Sequence, residues 1–127
     1  MSTPADALPA TPLPPCPGTP NCATGEKAFE VAPRTLWLIA EHALSRVDPH
    51  TVITDEDRLH IDATFRVFFF TDDLAIRVVP HGDGSVLYVR SASRTGRSDL
   101  GVNKRRVVKF WEALDDVLEE AREMREI

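Results

Sequence analysis

The chain has 127 residues, 43% of them hydrophobic, a formal net charge of −5 and a pI near 5.3. That length fits one domain whose core can form without a metal or several disulfides. The acidic balance excludes a general nucleic-acid binder, and no run of about 18 apolar residues is present to span a membrane. The first residues lack the basic and apolar regions of a signal peptide, so a cytoplasmic location is the expectation.

Met1–Pro20 holds seven of the ten prolines and almost no large apolar residue, which reads as an extended tail. We take residues 1–28 as this tail and 29–127 as a single α+β domain. Within the tail lies Cys16-Pro-Gly-Thr-Pro-Asn-Cys22. Its spacing allows a disulfide between Cys16 and Cys22 around a tight turn, a pair of reduced thiols, or two ligands of a metal. The histidines His42, His50, His60 and His81 are scattered without paired spacing, so no metal site is expected.

Lys27–Val31 is a short extended segment leading to Pro33, which suits the first turn of a helix. From there Leu36, Ile39, Ala40, Ala43 and Val47 recur at helical spacing, widened by Trp37 and Leu44. The helix should stop before Asp48-Pro49. The period then changes to two. Thr51–Thr54 is β-branched and apolar, and Asp55–Arg58 is a polar turn. Leu59, Ile61, Ala63 and Phe65 alternate with His60, Asp62, Thr64 and Arg66 as in a half-buried strand.

Val67–Phe70 breaks the alternation, as a bulge, a strand end or an apolar surface for a partner. Thr71–Asp73 reads as a turn, Leu74–Val79 as a third strand, Pro80–Gly84 as a hairpin loop and Ser85–Arg90 as a fourth strand. A final helix begins near Ser98 or Asp99, either of which can cap it. Its stripe is Leu100, Val107, Phe110, Trp111, Leu114, Val117, Leu118 and Ala121. The expected fold is α+β: a two-layer sandwich of a four-stranded antiparallel meander with both helices on one face, in the order α-β-β-β-β-α.

The stretch Arg90–Arg106 joins the last strand to the last helix and packs six cations, three serines and two glycines into 17 residues. Asn103 lies three residues after Leu100 and four before Val107, on the core-facing stripe, so its amide needs buried partners. Together with the cysteine motif, this stretch (Arg90-Ser-Ala-Ser-Arg-Thr-Gly-Arg-Ser-Asp-Leu-Gly-Val-Asn103-Lys-Arg-Arg-Val107) resembles a bacterial and plastid family, domain-of-unknown-function family 1499. Phe70-Thr-Asp72-Asp73 is similar to that family's third motif. The similarity runs from about Cys16 to Trp111, and it implies no activity. The position after Gly96, often aromatic in such relatives, is Arg97 here and adds a cation. Relatives often carry a membrane or secretory N-terminus, and their shared cysteine pair suits an oxidising compartment. The resemblance therefore implies a periplasmic or membrane-associated setting beside the cytoplasmic expectation.

Three functional readings stand. In the first, Arg90, Ser91, Ser93, Arg94, Arg97, Ser98, Asp99, Asn103 and Arg106 hold a small carboxylated or phosphorylated ligand at the strand-to-helix junction, with Arg105 nearby. In the second, the same polar groups only tie the fold together, Arg94 or Arg106 pairing with Asp72 or Asp73. A protein partner would then use Val67–Phe70 or the N-terminal tail. In the third, Asp72 or Asp73 is the general base of a small acid–base enzyme; adjacent strand residues point to opposite faces, so only one would enter a shared site. No dinucleotide fingerprint or triad order is present, so no cofactor is expected.

Overall fold

A computed structural model describes residues 8–95 and 100–125. Its elements are β1 (Cys22–Phe29), α1 (Pro33–Ser45), β2 (Thr51–Asp55), β3 (His60–Val67), β4 (Phe70–His81), β5 (Gly84–Ser93) and α2 (Val102–Arg125). The strands form one sheet in the order β1-β5-β4-β3-β2, every neighbouring pair antiparallel. The α+β expectation of an antiparallel sheet with two helices holds. Two parts of it are corrected: the sheet has five strands rather than four, and the order is β-α-β-β-β-β-α. The extra strand, β1, pairs along β5 from Cys22↔Ala92 to Phe29↔Ser85. Its backbone hydrogen bonds to β5 make it a strand. Its own residues alternate only weakly in polarity.

The residues directly opposite one another in the register share a face. Ile61, Ala63 and Phe65 on β3 face Ile76, Leu74 and Asp72 on β4, and Ser91, Val89 and Leu87 on β5 continue the row. Against this face pack Leu36, Trp37, Ala40, Ala43 and Leu44 of α1 and Val107, Phe110, Leu114, Val117 and Leu118 of α2. Leu36, Leu44, Ile61, Ile76, Leu87 and Leu114 are fully buried, each contributing about 2 kcal/mol by leaving water. α2 also crosses β1 closely: a Cβ at Gly25 would stand 2.9 Å from the Trp111 indole nitrogen, so glycine is what lets Trp111 lie on the strand.

The opposite face is covered in part by the proline-rich segment. Leu13 is buried there with Val86 and Tyr88, flanked by Leu8, Ala75 and Val79. The Tyr88 hydroxyl donates to the Pro9 carbonyl, and Arg90 Nη2 to that of Pro15 at 3.4 Å. A disulfide joins Cys16 to Cys22 and ties this segment to the start of β1.

Burial raises the Tyr88 phenol pKa above its usual value near 10, and Glu26, its partner across the β1–β5 pair, adds to the rise. A group whose folded-state pKa is raised contributes stability that is present below its unfolded value and lost as pH climbs through the folded one. Urea midpoints should therefore fall above about pH 10. Tyr88→Phe should flatten that alkaline limb and cost about 1 kcal/mol at neutral pH by removing the bond to Pro9.

Two loops depart from the sequence expectation. Thr71–Asp73 is not a turn but the start of β4, paired with Arg66, Phe65 and Thr64 of β3. The reversal falls just before it, at Phe68 and Phe69, since Val67 pairs directly with Phe70. Phe68 has φ of 57°, a left-handed conformation that costs a side-chain-bearing residue about 1–2 kcal/mol relative to glycine. The second departure is at α2. Leu100 (φ 56°) and Gly101 (φ 80°) are not helical, so the helix proper starts at Val102, later than expected, and the capping candidates Ser98 and Asp99 lie outside the described residues.

Candidate functional site: the corner between β5 and α2

Phe65, Asp72 and Ser93 sit side by side on β3, β4 and β5, at the end of the sheet where the helix-facing row runs out of apolar residues. Ser91 lies two residues before Ser93 on the same face. The first turn of α2 descends on this row and brings Asn103 and Arg106, three residues apart and hence on one side of the helix. Asp72, Ser91 and Asn103 are 2%, 0% and 0% exposed and Arg106 is 9%, so the corner is dry and the polar atoms that point into it need partners.

The partners are present. Arg106 Nη1 donates to Asp72 Oδ2 at 2.8 Å, to Asn103 Oδ1 at 2.9 Å and to Ser91 Oγ at 3.2 Å. The guanidinium carbon also lies 4.5 Å from the centre of the Phe65 ring, a cation–π contact. Ser91 Oγ donates to Asn103 Oδ1 at 2.6 Å, while Asn103 Nδ2 donates to Ser93 Oγ at 2.9 Å and to the Asn21 carbonyl at 3.2 Å. That carbonyl also accepts the Ser93 amide at 3.0 Å. Asn21 itself is buried. Its Oδ1 accepts from Thr19 Oγ1 and its Nδ2 donates to the Thr95 carbonyl. The cysteine motif, the aspartate pair and the basic junction thus meet in one place. Asn21 was not among the sequence candidates; the signal was its position inside the cysteine motif, just before Cys22.

The remaining candidates separate. Asp73, next in the strand, faces the other side of the sheet, where Arg94 grips it with Nε at 2.9 Å and Nη2 at 3.0 Å. These hydrogen bonds, and then the carboxylate's charge, raise the Arg94 pKa further. Both side chains are more than half exposed, so the pair is screened and contributes little to stability. Arg90 also lies on that side. Its buried Nε has no hydrogen-bond partner among the described residues, and it lines a shallow groove with Thr51, Ile53, Asp62, Thr64 and Asp73. Arg97, Ser98 and Asp99 lie outside the described residues. The two candidate general bases therefore occupy opposite faces, Asp72 held by Arg106 and Asp73 by Arg94.

Beside the dry corner, on the helical side, is a groove of about 280 Å³ lined by Val47, Phe65, Val102, Arg105, Arg106 and Lys109. Arg105 Nη1 donates to the Leu100 carbonyl at 2.9 Å. Neither Arg105 nor Lys109 makes an ion pair with a carboxylate among the described residues. Arg106 commits only Nη1 to the corner; its Nε and Nη2 make no hydrogen bond among the described residues. Lys109 was missed in the sequence reading. It stands four residues after Arg105, and that helical spacing was the available signal.

A five-strand, two-helix sandwich closed by an interlocked polar corner is the class of molecule this geometry defines. A family model described as "Protein of unknown function (DUF1499)" matches residues 12–114, and the chain belongs to that family. Among solved structures it resembles TTHA0849 from Thermus thermophilus, with a TM-score of 0.55, 10% identity, and 79% of this chain and 98% of the other covered. It also resembles Ara h 8.0201, with a TM-score of 0.53, 14% identity, and 77% and 97% covered. At such identities the likeness is one of fold alone. No curated protein matches the chain in sequence.

Proposed function

We propose that the protein is a binding module for a small carboxylated or phosphorylated ligand, seated in the groove between α2 and the end of α1. The observation that carries this reading is a cluster of cations without carboxylate partners among the described residues, Arg105 and Lys109, beside the open edge of the Arg106 guanidinium. Arginine's planar fork matches the two oxygens of a carboxylate or phosphate. Val47, Val102 and the Phe65 ring supply apolar walls, which suits an anionic head on a small apolar body. On a chain of net charge −5 these cations form a local positive field that draws such a ligand in.

The dry corner serves this site by position. Asp72 and Asn103 hold Arg106 from behind, so its open edge is fixed before a ligand arrives, and a preorganised donor loses less entropy on binding. The reading is of binding rather than turnover, because both aspartates are already engaged by arginines. The Cys16–Cys22 disulfide favours an oxidising compartment outside the cytoplasm. Among the described residues no helix is long and apolar enough to cross a membrane.

A thermal-shift screen of carboxylated and phosphorylated metabolites tests the proposal. A ligand at about a hundred times its Kd stabilises by about 2.7 kcal/mol, a rise of roughly 10 °C for a domain of this size. Arg105→Ala with Lys109→Ala should abolish that rise and leave the ligand-free melting temperature within about 2 °C, since both side chains are exposed. A screen without any hit, or a shift that survives the double substitution, would remove the groove as a site.

A further inference from the structure

The β3–β4 turn carries an unexplained cost. Two-residue hairpin loops select glycine or asparagine because their residues enter positive φ. Here the loop is Phe68-Phe69, with Phe68 at φ 57°, and the two rings are 88% and 94% exposed. They are the most exposed large apolar side chains among the described residues, followed by Leu100 at 85%, which lies at the same end of the molecule, just before α2 begins. Neither the turn nor the core needs phenylalanine there, and water disfavours it.

Charge is segregated along the same direction. The first eight residues of α2, Val102 to Lys109, contain Lys104, Arg105, Arg106 and Lys109 and no acid. The rest of the helix contains Glu112, Asp115, Asp116, Glu119, Glu120 and Glu123 against only Arg122 and Arg125. Exposed Arg66, at the foot of the Phe68 turn, adds to the cationic end, whereas Arg94, beside Thr71, is balanced by Asp73. An acidic protein thus presents one basic end, and from that end two aromatic rings project.

We infer that this end docks on an anionic lipid surface, with Phe68 and Phe69 entering the headgroup–acyl boundary and Arg66, Lys104 and Arg105 lying against the headgroups. Aromatic rings partition into that boundary, and basic residues near it are attracted by anionic lipid within a Debye length. The acidic far half of α2 is repelled by the same surface, which orients the molecule with the turn pointing down. This goes beyond ligand binding in the groove, and it uses the turn, which the groove does not.

The test is co-sedimentation of the full chain with phosphatidylcholine vesicles, with and without roughly one-third phosphatidylserine. Binding is expected only to the anionic vesicles and should weaken on raising salt to about 0.5 M. Phe68→Gly with Phe69→Asn installs residues that the turn prefers, so the variant should fold with an equal or higher melting temperature. It should keep any ligand shift arising in the groove and lose vesicle affinity by at least about tenfold. Absence of binding to anionic vesicles overturns the inference, as does equal binding by the folded variant. So does a wild-type dimer in sedimentation velocity that the variant lacks, which would assign the two rings to a second copy of the chain.

Discussion

Asp72→Asn will lower the stability of the folded chain by about 3 kcal/mol, the low end of the range for breaking a buried ion pair from one side. The substitution is nearly isosteric and its amide oxygen can still accept from Arg106, so packing is kept. What is lost is the negative charge 2.8 Å from Arg106 Nη1, in a corner where the two side chains are only 3% and 9% exposed. The guanidinium is left with neutral acceptors, Asn103 Oδ1 and Ser91 Oγ, and the face of Phe65. In a site this dry they replace only part of the lost charge compensation. Arg106→Met combined with Asp72→Leu should recover most of the loss, because removing both charges also removes their desolvation penalty. Urea unfolding of Asp72→Leu, Arg106→Met and their combination, as a double-mutant cycle with Asp72→Asn measured beside it, tests this. A change below about 1 kcal/mol for Asp72→Asn would mean that the pair is solvated and the corner is not a structural lock.

Asn103→Ala should cost a comparable amount, about 2–3 kcal/mol, for a different reason. Its amide is fully buried, and its hydrogen bonds join α2 to β5 and to the Asn21 loop. Truncation leaves a small void and strips Arg106 of its shortest neutral acceptor. Unpaired buried groups cost about 1–3 kcal/mol each, partly offset here because Ser91 and the Asn21 carbonyl keep other partners. Alanine's better helix propensity returns about 0.6 kcal/mol. The expected fall in melting temperature is about 10 °C, with the far-ultraviolet signal of the folded state unchanged. Asn103→Asp should not rescue. It restores the acceptor toward Arg106 but withdraws the donor that Ser93 and the Asn21 carbonyl require. A loss confined to ligand affinity, with stability intact, would instead place Asn103 in a solvated binding site.

The two proposals respond differently to these changes. Weakening the corner loosens Arg106 and should lower groove affinity along with stability. The aromatic turn lies outside that network, so vesicle binding by whatever fraction remains folded should persist.

Local pattern made much of this molecule legible. The 3.6-residue period placed Leu36, Ala40, Ala43 and Leu44 on the buried side of α1, and the same period placed Asn103 on the buried side of α2. The two-residue period placed Ile61, Ala63 and Phe65 inward. These are properties of a residue and its near neighbours, and solvent exclusion of one face follows from them directly. The chemistry of the corner was legible too, since a cluster of amides, hydroxyls and cations beside a helix start has to be satisfied somewhere.

What no local pattern carried was long-range pairing. Cys22–Phe29 mixes small, polar and apolar residues without a clear two-residue period, and only its pairing with β5 makes it a strand. Thr71-Asp72-Asp73 has turn-forming composition, yet cross-strand partners on both sides and neutralisation of Asp72 by Arg106 override that preference. Sequence allowed either aspartate to meet either arginine. The sheet decided, because Asp72 and Asp73 point to opposite faces, one toward the helix that bears Arg106 and the other toward Arg94. Periodicity is written residue by residue along the chain. Which charge meets which depends on register between segments 21 to 34 residues apart, and that is set only when the whole sheet and the descending helix are in place.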